Sequence, residues 1–280
     1  MIPAETLAQL EAHTNITFAR YGDRELHLDL YRPKERGTAL PAIVCIHGGG
    51  WFQGTRTSMA PLAQALAARG FVTATISYRL SGEKIFPAQI EDCKAAVRWL
   101  RANAKEMGID PKAIGVTGLS AGGHLAALLA TSGGVAHLEG NGGNASESSS
   151  VQAGVAMGAQ SDLETDRIRT LSNAPENPHY RPFLGGSLDA IPQTYALASP
   201  RHHLDKSDPP LVFVTGELDD PSTHADEARE DLKRLGIETG LTLIPQGPHA
   251  FLGQQRNFDL AVRTCAEFFG KHLKGTANSR

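Results

Sequence analysis

The chain is poor in several features, and each shortage excludes a class of protein. Its 280 residues hold three cysteines, Cys45, Cys93 and Cys265, too few and too scattered for a disulfide framework. Cys45 falls in an apolar run and the other two on apolar helix faces, so buried free thiols are expected. None of the three has neighbours at metal-ligand spacing, and neither do the histidines; no metal and no cofactor is expected. Charge is also scarce in the sense that matters for polyanions: the net value is −3 and no Lys/Arg run stands out, which argues against nucleic acid as a partner. No apolar run approaches the ~20 residues that cross a bilayer, so no membrane partner is expected. Met1-Ile2-Pro3-Ala4-Glu5 lacks the basic flank and apolar core of a signal peptide. The expected compartment is the cytoplasm as the sequence is written, or the periplasm or exterior if a leader has been removed.

What the chain does have is apolar material in a regular order. A hydrophobic content of 41% over this length can bury one large core, and a single domain over residues 1–280 is expected. Residues 16–19 and 25–31 read as an opening antiparallel pair, the second alternating through Leu26, Leu28 and Leu30. Strands then follow near residues 42–46, 72–77, 114–117, 151–157, 211–215 and 241–244. Helices alternate with them: one over residues 87–105 begins with a proline and sets Ile90, Cys93, Val97 and Leu100 on one face. Phe258, Val262, Cys265 and Phe269 repeat that spacing near the C-terminus. The expectation is a mainly parallel eight-stranded sheet covered by helices on both faces. Such sheets bind ligands beyond the carboxyl ends of their strands.

The chemistry-bearing motifs fall at those ends. Gly118-Leu119-Ser120-Ala121-Gly122 lies between a short apolar strand and an alanine-leucine helix, the context in which G-x-S-x-G forms a nucleophile elbow. The flanking glycines relieve crowding in a turn that strains the serine. His47-Gly48-Gly49-Gly50-Trp51 follows the strand at 42–46 and suits an oxyanion hole, with N–H donors from Gly49, Gly50 and Ala121. His47 itself is expected to bond the loop backbone. An acid and a base should follow the serine in that order. Gly216-Glu217-Leu218-Asp219-Asp220-Pro221 supplies the acid after one strand, and Gln246-Gly247-Pro248-His249 supplies the base after the next. Asp219 is favoured over Asp220 to orient His249, and the other aspartate would cap the helix near Ser222. Trp51 and Phe52, beside the glycine loop, could line the pocket and stack on an aromatic acyl group, or could equally belong to an apolar wall.

Two stretches depart from the alternation. Residues 133–150 form a polar Gly/Ser/Asn loop, read as a flexible surface connection, with gating of the site as the alternative. Residues 161–210 are longer than an ordinary connection and carry Pro175, Pro178, Pro182, His179, Tyr180, Phe183 and Tyr195. They are expected to fold over the site as a small cap, the alternative being a surface excursion. His202-His203 reads as a solvated turn.

The motifs taken together resemble an α/β-hydrolase esterase of the BD-FAE type, the bacterial feruloyl and acetyl-xylan esterase-like group. The likeness rests on His47-Gly48-Gly49-Gly50-Trp51, Ser77-Tyr78-Arg79-Leu80, Phe86-Pro87-Ala88-Gln89-Ile90-Glu91-Asp92, Arg98-Trp99-Leu100 and Ser120-Ala121-Gly122-Gly123-His124-Leu125-Ala126. Leu138-Glu139-Gly140-Asn141-Gly142-Gly143 and Ser161-Asp162-Leu163 extend it. It departs at Met157-Gly158-Ala159-Gln160, where relatives often carry an aromatic residue and a proline. The resemblance implies Ser120, Asp219 and His249 as a triad. It further implies a serine carboxylic ester hydrolase on short-chain or aromatic acyl esters, such as acetyl or feruloyl groups on plant polysaccharides, with a small-molecule or oligosaccharide-linked ester as partner. An arylformamidase-like amide hydrolase is the second reading, and a non-catalytic small-molecule-binding relative the third.

Overall fold

The computed structural model describes residues 2–35 and 37–274; Met1 of the N-terminal reading and both ends of the 1–280 domain lie outside them. Eight strands form one sheet in the order β1-β2-β4-β3-β5-β6-β7-β8. They are β1 (Leu10–Tyr21), β2 (Arg24–Pro33), β3 (Leu40–Ile46), β4 (Val72–Ile76), β5 (Ile109–Leu119), β6 (Ala153–Met157), β7 (Leu211–Gly216) and β8 (Thr239–Ile244). β1 pairs antiparallel with β2, and β2 with β4; every later pairing is parallel. Helices α1 (Ala4–Leu7), α2 (Ala60–Ala67), α3 (Ala88–Ala102), α4 (Ala104–Met107), α5 (Ala121–Thr131), α6 (Asp166–Asn173), α7 (Tyr180–Leu184), α8 (Pro192–Ala198), α9 (Asp226–Arg234) and α10 (Gln255–Leu273) complete the chain.

The central strands β3, β4 and β6, and β5 from Ala113 to Gly118, hold almost only buried residues, which is why they read as continuous apolar runs rather than alternating ones. Two cores result, one per face. Leu125, Leu128, Val97 and Leu100 of α5 and α3 meet Val44, Ile76 and Val116 on one face. Leu62, Leu66, Val262 and Phe269 of α2 and α10 meet Ile43, Val155 and Val214 on the other.

Three boundaries differ most from the sequence reading. β1 begins at Leu10, well before residue 16, because Leu10 to His13 pair with Pro33 to Leu30. Register breaks after His13 and Thr17, with Asn15 at φ 57°, spoil the period-two pattern that would have announced it. β5 starts at Ile109 because backbone pairing of Leu40 with Ile109 carries the strand through the polar Asp110-Pro111-Lys112. The helix expected over 87–105 ends at Ala102, where Asn103 leaves helical geometry and its side-chain amide donates to Trp99 O (2.8 Å).

Residues 133–150 are not a loose connection. Glu139 accepts from Lys94 Nζ (2.6 Å), Arg98 Nη1 (3.0 Å) and Ser149 Oγ (2.9 Å). Arg98 Nε donates to Gly143 O, and Leu138 is buried in the core. No residue of this stretch lines the cleft described below, so the gating alternative fails: the loop is tied along α3.

The 161–210 excursion leaves and rejoins the sheet at one point. Arg201 N–H donates to Ser161 O (2.9 Å), and Leu163 N–H donates to Ser199 Oγ (2.8 Å). Between those clamps α6, α7 and α8 bury Ile168, Tyr180, Phe183, Leu184 and Tyr195. His202-His203 ends in a short 3-10 turn; His203 is half-buried with Nε2 2.8 Å from Leu197 O, so only His202 is solvated as expected.

Lys94 is fully buried, and burial drags its ammonium below the ordinary lysine range while Glu139 pulls it back. Glu139→Ala should therefore destabilise the fold by about 2–3 kcal/mol in a denaturant titration, the low end for a broken buried pair because Glu139 is partly exposed. Lys94→Met should cost less, since Glu139 keeps Arg98; equal losses would show that the buried charge is not what the pair protects.

Candidate active site

The elbow is built by a crossing that only glycine permits. A Cβ on Gly122 would lie 2.1 Å from Ile46 O and 2.6 Å from His47 O, both at the carboxyl end of β3. Without it α5 packs directly over that strand end. Ser120 sits at φ 59°, ψ −120°, a region costly for a side-chain residue. Its N–H is held by Met157 O (2.8 Å), and its carbonyl accepts from His124 N–H (2.9 Å).

Around Ser120 Oγ the sequence-selected groups converge. His249 Nε2 lies 2.8 Å from Ser120 Oγ, and His249 Nδ1 lies 2.8 Å from Asp219 Oδ2. The Asp219 side chain is 5% exposed. It also accepts from Thr215 Oγ1 (3.1 Å) and from the Asp220 N–H (2.7 Å). Burial works against its charge, but the hydrogen bonds from His249, Asp220 and Thr215 outweigh it and hold the carboxyl below its ordinary value. An ionised Asp219 fixes the proton on Nδ1, leaving Nε2 to accept from the serine. The same hydrogen bond raises the His249 imidazole above its ordinary 6.5, against the opposing effect of burial. Asp220 takes the other role: it caps the short helix Pro221–His224, accepting from Ser222 N–H (2.9 Å), and pairs with Arg167.

Gly49, Gly50 and Ala121 border the same cleft. Among the described residues no hydrogen bond outside helices and strands is donated by the N–H of Gly49 or Gly50. The Ala121 N–H belongs to the first turn of α5, whose donors have no intrahelical partner. All three residues thus line the cleft that holds Ser120. His47 stays structural: its ring stacks on Tyr78 at 4.3 Å, its carbonyl accepts from Tyr78 Oη (3.1 Å), and burial lowers its pKa.

The two aromatic candidates part ways. Trp51 is 5% exposed, stacked on Phe183 at 4.4 Å, and donates from Nε1 to His124 Nδ1 (3.2 Å). A ring held in this way is packed into the apolar wall of the cleft, the second of the two roles open to it. Phe52 remains partly exposed at the cleft, tilted against His179 at 5.6 Å.

His124 is the residue that sequence reasoning quoted without assigning. Its Nδ1 accepts from Trp51 and its Nε2 meets Ala198 O at 2.8 Å, so the proton resides on Nε2. Burial pushes its pKa down to about 4, keeping it neutral. One imidazole thereby joins the glycine loop, the helix behind the nucleophile and the end of α8. The available signal was its place in Gly122-Gly123-His124, a polar side chain on a helix buried all round.

The cleft encloses about 940 Å³. Its lining includes Ser58, Met59, Leu119 and Leu252, and also Gln160, Arg167, Leu171, Asn177 and His179. Most of the second group belongs to the 161–210 excursion. Among the described residues no group of His, Cys, Asp or Glu could hold a metal ion, and all three cysteines are buried and free.

Comparison with known proteins agrees with this architecture. The esterase LipC of Mycobacterium tuberculosis is 30% identical over 243 residues, which are 82% of this chain and 58% of LipC. The chain spans little more than half the length of the curated relatives it matches. A solved structure described as a truncated form of a carbohydrate esterase from gut microbiota superposes with a TM-score of 0.79 at 29% identity, covering 92% of this chain and 96% of that one. Esterase 2 of Thermogutta terrifontis, solved after phosphonylation by sarin, superposes with a TM-score of 0.77 at 25% identity over 93% of this chain and 94% of its own. The fold is the α/β-hydrolase fold. The BD-FAE family model matches residues 28–230, more than half of the sequence, and the chain belongs to the BD-FAE family.

Proposed function

We propose that the protein is a serine carboxylic ester hydrolase that works through an acyl-enzyme. The observation that carries this reading is the unbroken chain Ser120 Oγ, His249 Nε2, His249 Nδ1, Asp219 Oδ2, at 2.8 Å and 2.8 Å, opening on a cleft beside free backbone N–H groups. His249 accepts the serine proton as Oγ attacks the ester carbonyl. The N–H groups of Gly49, Gly50 and Ala121 receive the oxyanion, each such donor contributing roughly 3 kcal/mol to the transition state. His249 then protonates the departing alcohol, and water activated by the same imidazole releases the acid. Asp219 stabilises the imidazolium formed in each half-reaction.

The substrate is proposed to be a small or sugar-linked ester with a short-chain or aromatic acyl group. Support comes from the polar wall of the cleft, from Phe52 at its edge, and from the carbohydrate esterase among the structural relatives. In this reading residues 161–210 act as the cap that shapes the pocket, since Arg167, Leu171, Asn177, His179 and Tyr180 come from it.

Three outcomes test the proposal. Ser120→Ala should lower turnover of p-nitrophenyl acetate by roughly 10⁴ or more and abolish labelling by a fluorescent phosphonate. Retained activity in the purified variant refutes the mechanism. Second, only neutral His249 can act as base, so kcat/KM should climb with pH and reach half its plateau above pH 6.5. Asp219→Asn removes the cause of the raised pKa; the acid limb should move to lower pH as the plateau drops by about 10⁴. A limb that stays in place would assign it to another group. Third, serine-dependent rates on methyl ferulate, acetylated xylan, p-nitrophenyl octanoate and N-formylkynurenine should favour the first two; preference for the formamide would make the protein an arylformamidase-like enzyme instead.

A further inference from the structure

His179 stands in the cleft wall with two unlike nitrogens. Its Nδ1 is buried and has no hydrogen-bond partner among the described residues. That edge of the ring abuts the glycine loop: a Cβ on Gly50, which holds φ 59°, would fall 2.7 Å from His179 Nδ1 and 3.1 Å from Cε1. Phe52 covers part of the ring at 5.6 Å. The backbone is fixed as well, since the N–H groups of His179 and Tyr180 both donate to Asn177 Oδ1 (3.0 and 3.4 Å). Nε2, on the far edge, is not among the buried unpartnered atoms and makes no hydrogen bond among the described residues.

These facts decide the tautomer. A proton on Nδ1 would be a buried N–H with nothing to receive it, the costlier kind of orphan. A proton on Nε2 can be given to water or to a substrate in the cleft. Burial lowers the pKa of the ring, so over the working range of the triad it is a neutral imidazole with a single donor. Polar Asn177, Arg167 and Asp220 line the cleft wall together with His179. An unsubstituted acyl chain has no oxygen for such a wall to recognise; an alcohol bearing further hydroxyls does.

We propose that His179 is a specificity-determining residue whose Nε2–H donates to an oxygen on the alcohol half of the ester, selecting esters of polyhydroxylated alcohols over those of hydrocarbon alcohols. The proposal rests on the esterase reading and adds the residue that discriminates. Two acetates of equal ring size test it: a monoacetylated methyl xyloside and cyclohexyl acetate, each assayed with the wild type, His179→Leu and His179→Gln. His179→Leu should lose roughly five- to tenfold in kcat/KM on the xyloside, the worth of one neutral hydrogen bond, mostly in KM, with cyclohexyl acetate unchanged. His179→Gln, which restores a donor, should recover part of the loss. Equal losses on both esters would overturn the proposal and make His179 a support for Gly50 and the oxyanion loop. No loss on either would overturn it outright. Failure of the wild type to hydrolyse either ester, or of a phosphonate to label Ser120, would remove the esterase reading itself.

Discussion

The contact between the first turn of α5 and the end of β3 governs the whole site. Gly122 lies against the carbonyls of Ile46 and His47, and any side chain there would push the nucleophile helix off the strand that carries the glycine loop. That single approach brings Ser120 and the glycine loop, which come from different strands, to a common point. β3 and β5 are neighbours in the sheet, so the approach costs no detour of the chain. β7 and β8 lie farther along the same edge order, and their carboxyl-end loops bring Asp219 and His249 in from the other side. Parallel pairing is what makes the arrangement possible: it puts all four loops at one end of the sheet.

Polar groups behind the site are fixed by burial with complete partnering. Asp219 is ionised because three donors meet it, not because water does. His124 is neutral because both its nitrogens are already engaged in a dry place. The two behave oppositely on burial, yet the principle is shared: a buried polar group takes whichever charge state its neighbours can satisfy. His249 differs in being exposed, as the base of the proposed mechanism, which must exchange protons with water, has to be.

How much could be read without coordinates follows from the range of the interactions involved. Ser120, Asp219 and His249 were legible because each sits at a strand end marked by an apolar run and a glycine, a local pattern. The choice of Asp219 over Asp220 was half legible: the proline after Asp220 marks a helix start, and the cap there occupies Asp220. The sheet core was plain from its continuous apolar strands, while the N-terminal half of β1 was hidden by bulges and by a half-exposed polar face. The packing of Trp51 was left open because its partner Phe183 lies 132 positions away, and no local rule reports such a pairing. The looseness expected of residues 133–150 failed for the same reason, since the composition of that stretch says nothing of Lys94 and Arg98 waiting on α3.

The clamp between Ser161 and Arg201, with its companion between Leu163 and Ser199, closes the excursion into a loop with adjoining ends. A loop of this kind can change length at little entropic cost, because closure depends only logarithmically on the number of residues enclosed. β6 and β7 would not register the change. On the proposed reading, the scaffold that positions the reacting atoms and the segment that selects what reaches them are therefore mechanically separable. In evolutionary terms, that lets a lineage exchange substrates by rewriting about forty residues while the geometry of bond cleavage is inherited intact.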